Sequence, residues 1–201
     1  MKKTKTILIL LSTFALGALL SFSLPGGTLA YFTNKKNTTN TLTVGENKIQ
    51  IVETFPEPPT PVVGTNTYTK TVNVKNTGDV DCYVRVFIDF SDDSVRNKST
   101  VSSDGTNYYT VSEFVANHLP QNWVYVADGA LGPYFYYTQP IAPNASTTNL
   151  LHSFKTTFAA TDEIRDFDVY VYAESVQTRD NNGDLFTGTD TWRQAWTEFL
   201  N

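Results

Sequence analysis

The sequence predicts an all-β protein, an antiparallel two-sheet jelly-roll sandwich with short helices that include a C-terminal amphipathic helix. About eight segments have the apolar and polar alternation of strands, and turn residues separate them. Helical segments are few, and the strand–helix–strand rhythm of a parallel sheet is missing from the pattern. These observations favour one sheet packed on another.

The segment 68–90 carries the strongest strand signal. Its first part alternates Val72 and Val74 with polar residues. Its second part alternates two sets of side chains, which are Cys82, Val84, Val86, Ile88 and Phe90 on one face and Tyr83, Arg85, Phe87 and Asp89 on the other. Residues 76–79 are turn formers. The pattern therefore predicts a hairpin of two strands at the centre of a sheet.

The first 30 residues have the composition of a signal peptide. Three lysines at residues 2–5 precede an apolar run over residues 7–24. Thr28 and Ala30 then resemble a small-residue cleavage site. A cut after Ala30 makes Tyr31 the first mature residue, so Thr28, Ala30 and Tyr31 are the predicted signal-peptidase site.

A retained transmembrane anchor is the alternative for this segment, because an apolar run of this length nearly crosses a bilayer. The Pro-Gly-Gly sequence of residues 25–27 favours cleavage. The chain is therefore predicted to be exported, and residues 31–201 to be the mature protein.

The charge and cysteine content restrict the possible partners and chemistry. Loss of residues 1–30 removes 3 of the 15 Lys and Arg residues and leaves all 20 Asp and Glu residues, which gives a net charge of −8. Nucleic acid is not expected as a partner, because its phosphates require cations. Cys82 is the single cysteine, and its inward position in a strand indicates a buried apolar side chain.

The start of the mature chain is polar but favours extended structure. Residues 31–44 are rich in Thr and Asn, and Leu42 and Val44 have the spacing of a strand. This segment is either a flexible leader or an edge strand that precedes the jelly-roll domain at 45–201. Residues 48–53 are predicted to be a strand, and the prolines in 56–61 require an extended connection.

The rest of the domain contains further strands and two helices. Residues 91–109 are polar and predict a surface insertion. Thr110 and Glu113 fit a capping box, which predicts a short helix to Leu119. Alternation and apolar content predict strands over 123–127, 134–138, 150–158 and 167–176.

The C-terminus changes to a helical period. Trp192, Ala195, Trp196 and Phe199 stand at i, i+3, i+4 and i+7. This spacing predicts an amphipathic helix over residues 191–200, packed on the sandwich, with Asp190 as its N-cap.

The sequence gives no support for an active site, a metal site or a cofactor. His118 and His152 are far apart and lack the spacing of a zinc protease, and no Gly-x-Ser-x-Gly motif is present. Residues 180–184 resemble the start of a calcium loop, but the sixth and twelfth positions are Leu185 and Thr191 instead of Gly and Glu. A turn is the favoured interpretation of that segment.

A set of aromatic residues suggests a stacking platform for sugar rings, although sandwich cores also use aromatic side chains. The set is Tyr108, Tyr109, Trp123, Tyr125, Tyr134, Tyr136 and Tyr137. Alternation places about half of these side chains inward, so a core role is the favoured interpretation for the set.

Several stretches together resemble the TasA/camelysin family of exported Gram-positive proteins. They are residues 26–33 and 40–45 around the predicted cleavage site, 70–78 and 82–86 in the predicted hairpin, and 172–178 with the tryptophan-bearing tail. The resemblance implies cleavage by a dedicated SipW-like signal peptidase and a jelly-roll fold. It also implies a place in the extracellular matrix or at the cell surface, with other matrix proteins or polysaccharide as further partners.

In the fibre-forming members, the N-terminal strand of one subunit completes the sheet of the next, which makes the chain its own partner in a homopolymer. The matching donor residues here are Tyr31, Phe32, Thr33, Thr39, Thr41, Leu42 and Val44. The leading hypothesis is thus a non-enzymatic fibre protein of the biofilm matrix. The alternatives are a monomeric adhesion or carbohydrate-binding module and, less favoured, a secreted metalloprotease.

Overall fold

The structure, a computed structural model, describes residues 46–55 and 61–201. In this part of the chain the strands are β1 (Ile49–Thr54), β2 (Gly64–Asn76), β3 (Cys82–Phe90), β4 (Ser99–Ser102), β5 (Tyr109–Thr110), β6 (Trp123–Val126), β7 (Tyr134–Tyr137), β8 (Leu151–Phe158) and β9 (Val169–Gln177). The helices are α1 (Asp93–Asn97), α2 (Val111–Asn117) and α3 (Thr191–Leu200).

The strands form two antiparallel sheets that pack as a sandwich. The five-stranded sheet has the order β1-β2-β8-β4-β5, and the four-stranded sheet has the order β6-β7-β3-β9. The predicted antiparallel two-sheet sandwich with short helices and a C-terminal helix is confirmed. The predicted strand and helix limits agree with the structure to within one or two residues, except that β2 begins at Gly64 instead of residue 68 and that residues 91–109 contain strands.

The predicted hairpin over 68–90 is wrong, although both of its strands exist. β2 pairs with β1 and β8, whereas β3 pairs with β7 and β9 in the other sheet. The chain crosses between the sheets at Asn76, whose side-chain amide donates to the carbonyls of Val80 (2.7 Å) and Ile141 (2.8 Å). Alternation identified the inward face of each strand, and two strands that face one core can lie in opposite sheets.

The predicted surface insertion at 91–109 is also wrong, because β4 lies inside the five-stranded sheet between β8 and β5. Ser99 and Ser102 are buried there in spite of their polarity. Their hydroxyls have partners: Ser99 Oγ donates to the Val95 carbonyl (2.7 Å) and Ser102 Oγ to Asp104 Oδ1 (2.9 Å). A polar strand can therefore be buried at low cost.

The main core lies between the sheets, and a second cluster lies on the outer face of the four-stranded sheet beneath α3.

The capping box is confirmed, since Thr110 Oγ1 accepts from the Glu113 amide (3.3 Å) and Glu113 Oε2 accepts from the Thr110 amide (3.1 Å). Helix α3 has the predicted limits, but Asp190 makes no side-chain cap and has a φ of 55°.

Candidate functional site

The residues predicted for cleavage and strand donation lie outside the described residues. This applies to Thr28, Ala30 and Tyr31 at the cleavage site and to the donor residues Tyr31, Phe32, Thr33, Thr39, Thr41, Leu42 and Val44. The described residues begin at Glu46, close after this segment. The surface next to Glu46 is therefore considered as an acceptor for an added strand.

Two edge strands meet at this surface. Among the described residues, β1 is the outer strand of one sheet and β9 is the outer strand of the other. They approach each other on the same side of the sandwich, where Ser175 Oγ donates to Asn47 Oδ1 over 3.0 Å. We call this margin, formed by Ile49–Thr54 and Val169–Gln177, the β1/β9 seam.

The apolar side chains along the seam are only partly buried. They are Ile49 and Ile51 on β1 and Val169, Val171 and Ala173 on β9, and all pack against the main core. By contrast, Val74 and Val86 on the neighbouring strands have no exposed surface. Within the part of the chain that the structure describes, an apolar strip of the core thus stays partly accessible at the seam, and an added strand would remove it from water.

The turn after β2 determines where the chain enters β1. The amides of Thr77 (2.8 Å) and Gly78 (2.9 Å) donate to the Lys48 carbonyl, and the Asp79 amide donates to the Glu46 carbonyl (3.1 Å). The close approach of the two chain segments requires a glycine at residue 78, because a Cβ at this position would lie 2.0 Å from the Glu46 carbonyl oxygen. These bonds hold Glu46, the first of the described residues, beside the seam.

An ion pair lies at the far end of β1. Glu53 is on the same face of β1 as Ile49 and Ile51, and its carboxylate contacts the Lys70 ammonium of β2. The Lys70 side chain is 2% exposed and lies 4.2 Å from the centre of the Phe55 ring. The apolar strip of β1 therefore ends at Glu53. Inward-pointing charge on an edge strand is also one way in which proteins limit unwanted strand pairing.

A cavity of about 170 Å³ lies where the end of β9 meets α3. Its lining mixes polar side chains, among them Asn47, Ser175 and Glu198, with the rings of Phe186 and Phe199. Among the described residues, neither a histidine nor a cysteine lines it.

The outer face of the four-stranded sheet holds a buried charge beneath α3. Arg85 is 5% exposed, and its Nε donates to Glu174 Oε2 (2.7 Å) while its guanidinium also donates to the Tyr136 hydroxyl (3.3 Å). Burial opposes the charge, but the hydrogen bonds to Tyr136 and Glu174 and the charge of Glu174 outweigh it, so the pKa of Arg85 is raised.

The remaining candidates for chemistry, which are Cys82 and the two histidines, make contacts within the fold. Burial, with a smaller effect of Asp81, raises the pKa of the Cys82 thiol to about 12, so the predicted buried cysteine is confirmed. The His118 ring stacks on Tyr109 at 3.5 Å, and the His152 ring packs against Gly105. The described residues contain no group of three or more His, Cys, Asp or Glu side chains arranged to hold a metal ion.

The calcium-like segment 180–184 forms a turn, as the favoured interpretation predicted. Asp180 Oδ1 accepts from the amides of Asn182 and Asp184, both at 2.9 Å, and the Asp184 carbonyl accepts from the Asp180 amide at 2.8 Å. The carboxylate of Asp180 is thus used within the turn itself.

The predicted aromatic platform is divided by the fold. Trp123, Tyr136 and Tyr137 are buried, so they cannot stack on a ligand, and Tyr136 in particular has no exposed surface. Tyr134 remains partly exposed. The sequence analysis did not include three further aromatic residues of this face, Phe87, Tyr170 and Tyr172, in the platform. The signal for them is that Phe87 is two residues from Arg85 on β3, and Tyr170 and Tyr172 are two residues apart on β9, so that each pair points to one face of the sheet.

Comparison of the chain with protein-family models, with curated proteins and with solved structures found no match. Within residues 46–55 and 61–201, no helix combines the length and apolar character needed to cross a membrane. Functional inference therefore depends on the geometry of the seam and of the sheet faces.

Proposed function

We propose that the chain is a secreted, non-enzymatic structural protein that assembles head to tail into fibres of an extracellular biofilm matrix. Residues 31–44 of one copy add as a strand at the β1/β9 seam of the next copy. The observation that supports this most directly is the partly buried apolar strip of the seam, which lies beside the point where residues 31–44 join the domain.

Strand addition suits both partners physically. Main-chain hydrogen bonds to an edge strand provide affinity, and alternate side chains of the donor provide specificity. Tyr31, Phe32, Leu42 and Val44 supply apolar groups that can cover Ile49, Ile51 and Val171. The Thr and Asn residues between them suit an extended backbone with one face in water.

Removal of the signal peptide would switch assembly on. Before cleavage, the donor segment is joined to an apolar run over residues 7–24 that a membrane holds. After cleavage by a SipW-like signal peptidase, its N-terminus is free to reach a neighbour. This order keeps fibres from forming before export.

A truncation tests the donor. The processed chain, which starts at Tyr31, and a variant that starts at Gly45 are compared by electron microscopy and by sedimentation over a range of concentrations. We expect fibres from the longer chain and single particles from the shorter one. Equal assembly by both chains would remove the donor role from residues 31–44.

Cysteine cross-linking tests the acceptor. Because Cys82 is buried, a chain with Thr33→Cys and Gln50→Cys has one new thiol in the donor and one exposed thiol on β1. Head-to-tail assembly should give a ladder of disulfide-linked oligomers on a non-reducing gel. The control combines Thr33→Cys with Thr106→Cys, which is exposed near β5 at the opposite edge of the sheet; a ladder of equal intensity there would reject the seam.

A further inference from the structure

The outer face of the four-stranded sheet is covered by α3 over only part of its length in the described residues. Beneath α3 lie Tyr83, Tyr136 and Val176, which are buried with Trp192 and Trp196. The face continues beyond Arg85 along the same strands, and there its side chains are aromatic and partly exposed.

These side chains form a row across neighbouring strands. Phe87 of β3 stands opposite Tyr172 of β9, and on its other side its ring lies 6.2 Å from that of Tyr134 of β7. Tyr170, two residues from Tyr172 and opposite Asp89, adds a ring that is 54% exposed. We call Tyr134, Phe87, Tyr172 and Tyr170 the aromatic row.

Three of the four rings of the row are held by contacts within the fold. The Arg85 guanidinium lies 4.0 Å from the centre of the Tyr134 ring, and the Phe87 ring meets the same ring at 64°. The Tyr172 hydroxyl donates to Glu174 Oε1 over 2.9 Å. Rings fixed in this way lose little side-chain entropy on binding, which favours recognition.

We propose that the aromatic row binds a neutral polysaccharide chain. The apolar CH faces of sugar rings pack on exposed aromatic rings. The centres of the Phe87 and Tyr134 rings are 6.2 Å apart, so successive sugar units of one polymer chain can contact both rings. Phe87, Tyr134 and Tyr170 provide the stacking surfaces. The row crosses the three neighbouring strands β7, β3 and β9, so an extended polymer can contact several rings at once.

The charges around the row favour a neutral ligand. Asp89 lies beside Tyr170, and Glu174 lies next to Arg85, so carboxylates border the row. Arg96, the cation near this end of the sheet, is paired with Asp89 (3.3 Å) and Asp93 (2.7 Å). With a net charge of −5 on the whole chain, an anionic polymer would be repelled.

Affinity electrophoresis of the processed chain tests this inference. Native gels contain hydroxyethylcellulose, dextran or galactomannan as neutral polymers, or polygalacturonate as an anionic one. We expect retardation by at least one neutral polymer and a rise of about ten-fold in the apparent Kd for Tyr170→Ala and for Phe87→Ala. Phe199→Ala is the matched control, because Phe199 is a similarly exposed ring (52%) away from the row.

Each outcome bears on the row independently of strand exchange. No retardation by the three neutral polymers, retardation by polygalacturonate alone, or equal retardation of wild type and Tyr170→Ala would overturn the inference. Urea unfolding of each variant separates loss of binding from loss of fold. Tyr170→Ala carries the test if Phe87→Ala unfolds, since the exposed Tyr170 side chain contributes little to the core.

Discussion

The guanidinium of Arg85 lies 4.3 Å from the centre of the Trp196 ring, which joins the last helix of the chain to the central strand β3. Trp196 has no exposed surface, and Arg85 has its charge neutralised by Glu174. A stacked, paired arginine thus fixes α3 on the outer face of the sheet and separates the covered half of that face from the aromatic row.

Trp196→Ala should lower the free energy of unfolding by about 3–5 kcal/mol, because it removes a fully buried ring and exposes the Arg85 pair to water. Urea unfolding monitored by circular dichroism measures this. The control is Phe199→Ala in the same helix, where 52% exposure limits the loss to about 0.5 kcal/mol. Similar losses in both variants would contradict the packing of α3 described above.

The Lys70 and Glu53 pair should respond differently to single and double replacement. Glu53→Leu alone leaves the Lys70 ammonium buried without its partner and should destabilise the fold, by less than the ~3–5 kcal/mol of a fully buried pair because Glu53 is 30% exposed. Glu53→Leu with Lys70→Met should recover most of that stability. Chemical denaturation of the two variants checks this, and a double variant as unstable as the single one would refute it.

The double variant should also associate more than the wild type. It replaces the inward charge of edge strand β1 by an apolar group and so lengthens the apolar strip of the seam. Light scattering at matched concentrations measures the association. An unchanged scattering signal would show that the ion pair does not limit pairing at this edge.

Gly78→Ala should destabilise the protein and loosen the entry to β1. The added Cβ would lie 2.0 Å from the Glu46 carbonyl oxygen, so the turn must move and its bonds to Glu46 and Lys48 weaken. Faster hydrogen exchange at the amides of Thr77 and Asp79 is the expected result. Gly129→Ala is the comparison, since it has a φ of 78° but open space, and it should cost only about 1 kcal/mol of backbone strain without this change in exchange.

Asp104 should contribute to stability against acid. Its carboxylate accepts from the amides of Asn107 and Thr106, from the Asn107 side chain and from Ser102 Oγ, and these bonds lower its pKa from the usual 3.8. A folded pKa below the unfolded one gives stability that is present above pH ~4 and lost as the pH falls through the folded pKa. The difference between the urea midpoints of wild type and Asp104→Asn should therefore be larger at pH 7 than at pH 2.

Cys82 should be unreactive in the folded protein. The thiol has no exposed surface and a pKa of about 12, so the thiolate that attacks disulfide reagents is scarce at pH 8. The native chain should show no reaction with an aromatic disulfide reagent, and one thiol per chain after denaturation. A Thr106→Cys variant provides the exposed thiol for comparison.

The sequence predicts which side chains of the candidate sites share a face of a strand, but not which strands lie side by side. The period of two placed Phe87 and Asp89 on one face of β3, and Tyr170 and Tyr172 on one face of β9. It did not place Phe87 opposite Tyr172, because register between distant strands depends on which strands pair. For the same reason the sequence leaves Tyr136 as a candidate for sugar stacking, whereas in the structure α3 covers its ring.

The sequence by itself determined the inward faces of the strands, the helical period of residues 191–200 and the buried state of Cys82, because side-chain alternation and helical spacing are local properties of the backbone. The tertiary structure alone decided that β2 and β3 lie in opposite sheets, that polar β4 is internal, and that β1 and β9 share a margin beside Glu46. These features depend on contacts between residues far apart in the chain, and the burial of a common core selects among the pairings that local patterns leave equivalent.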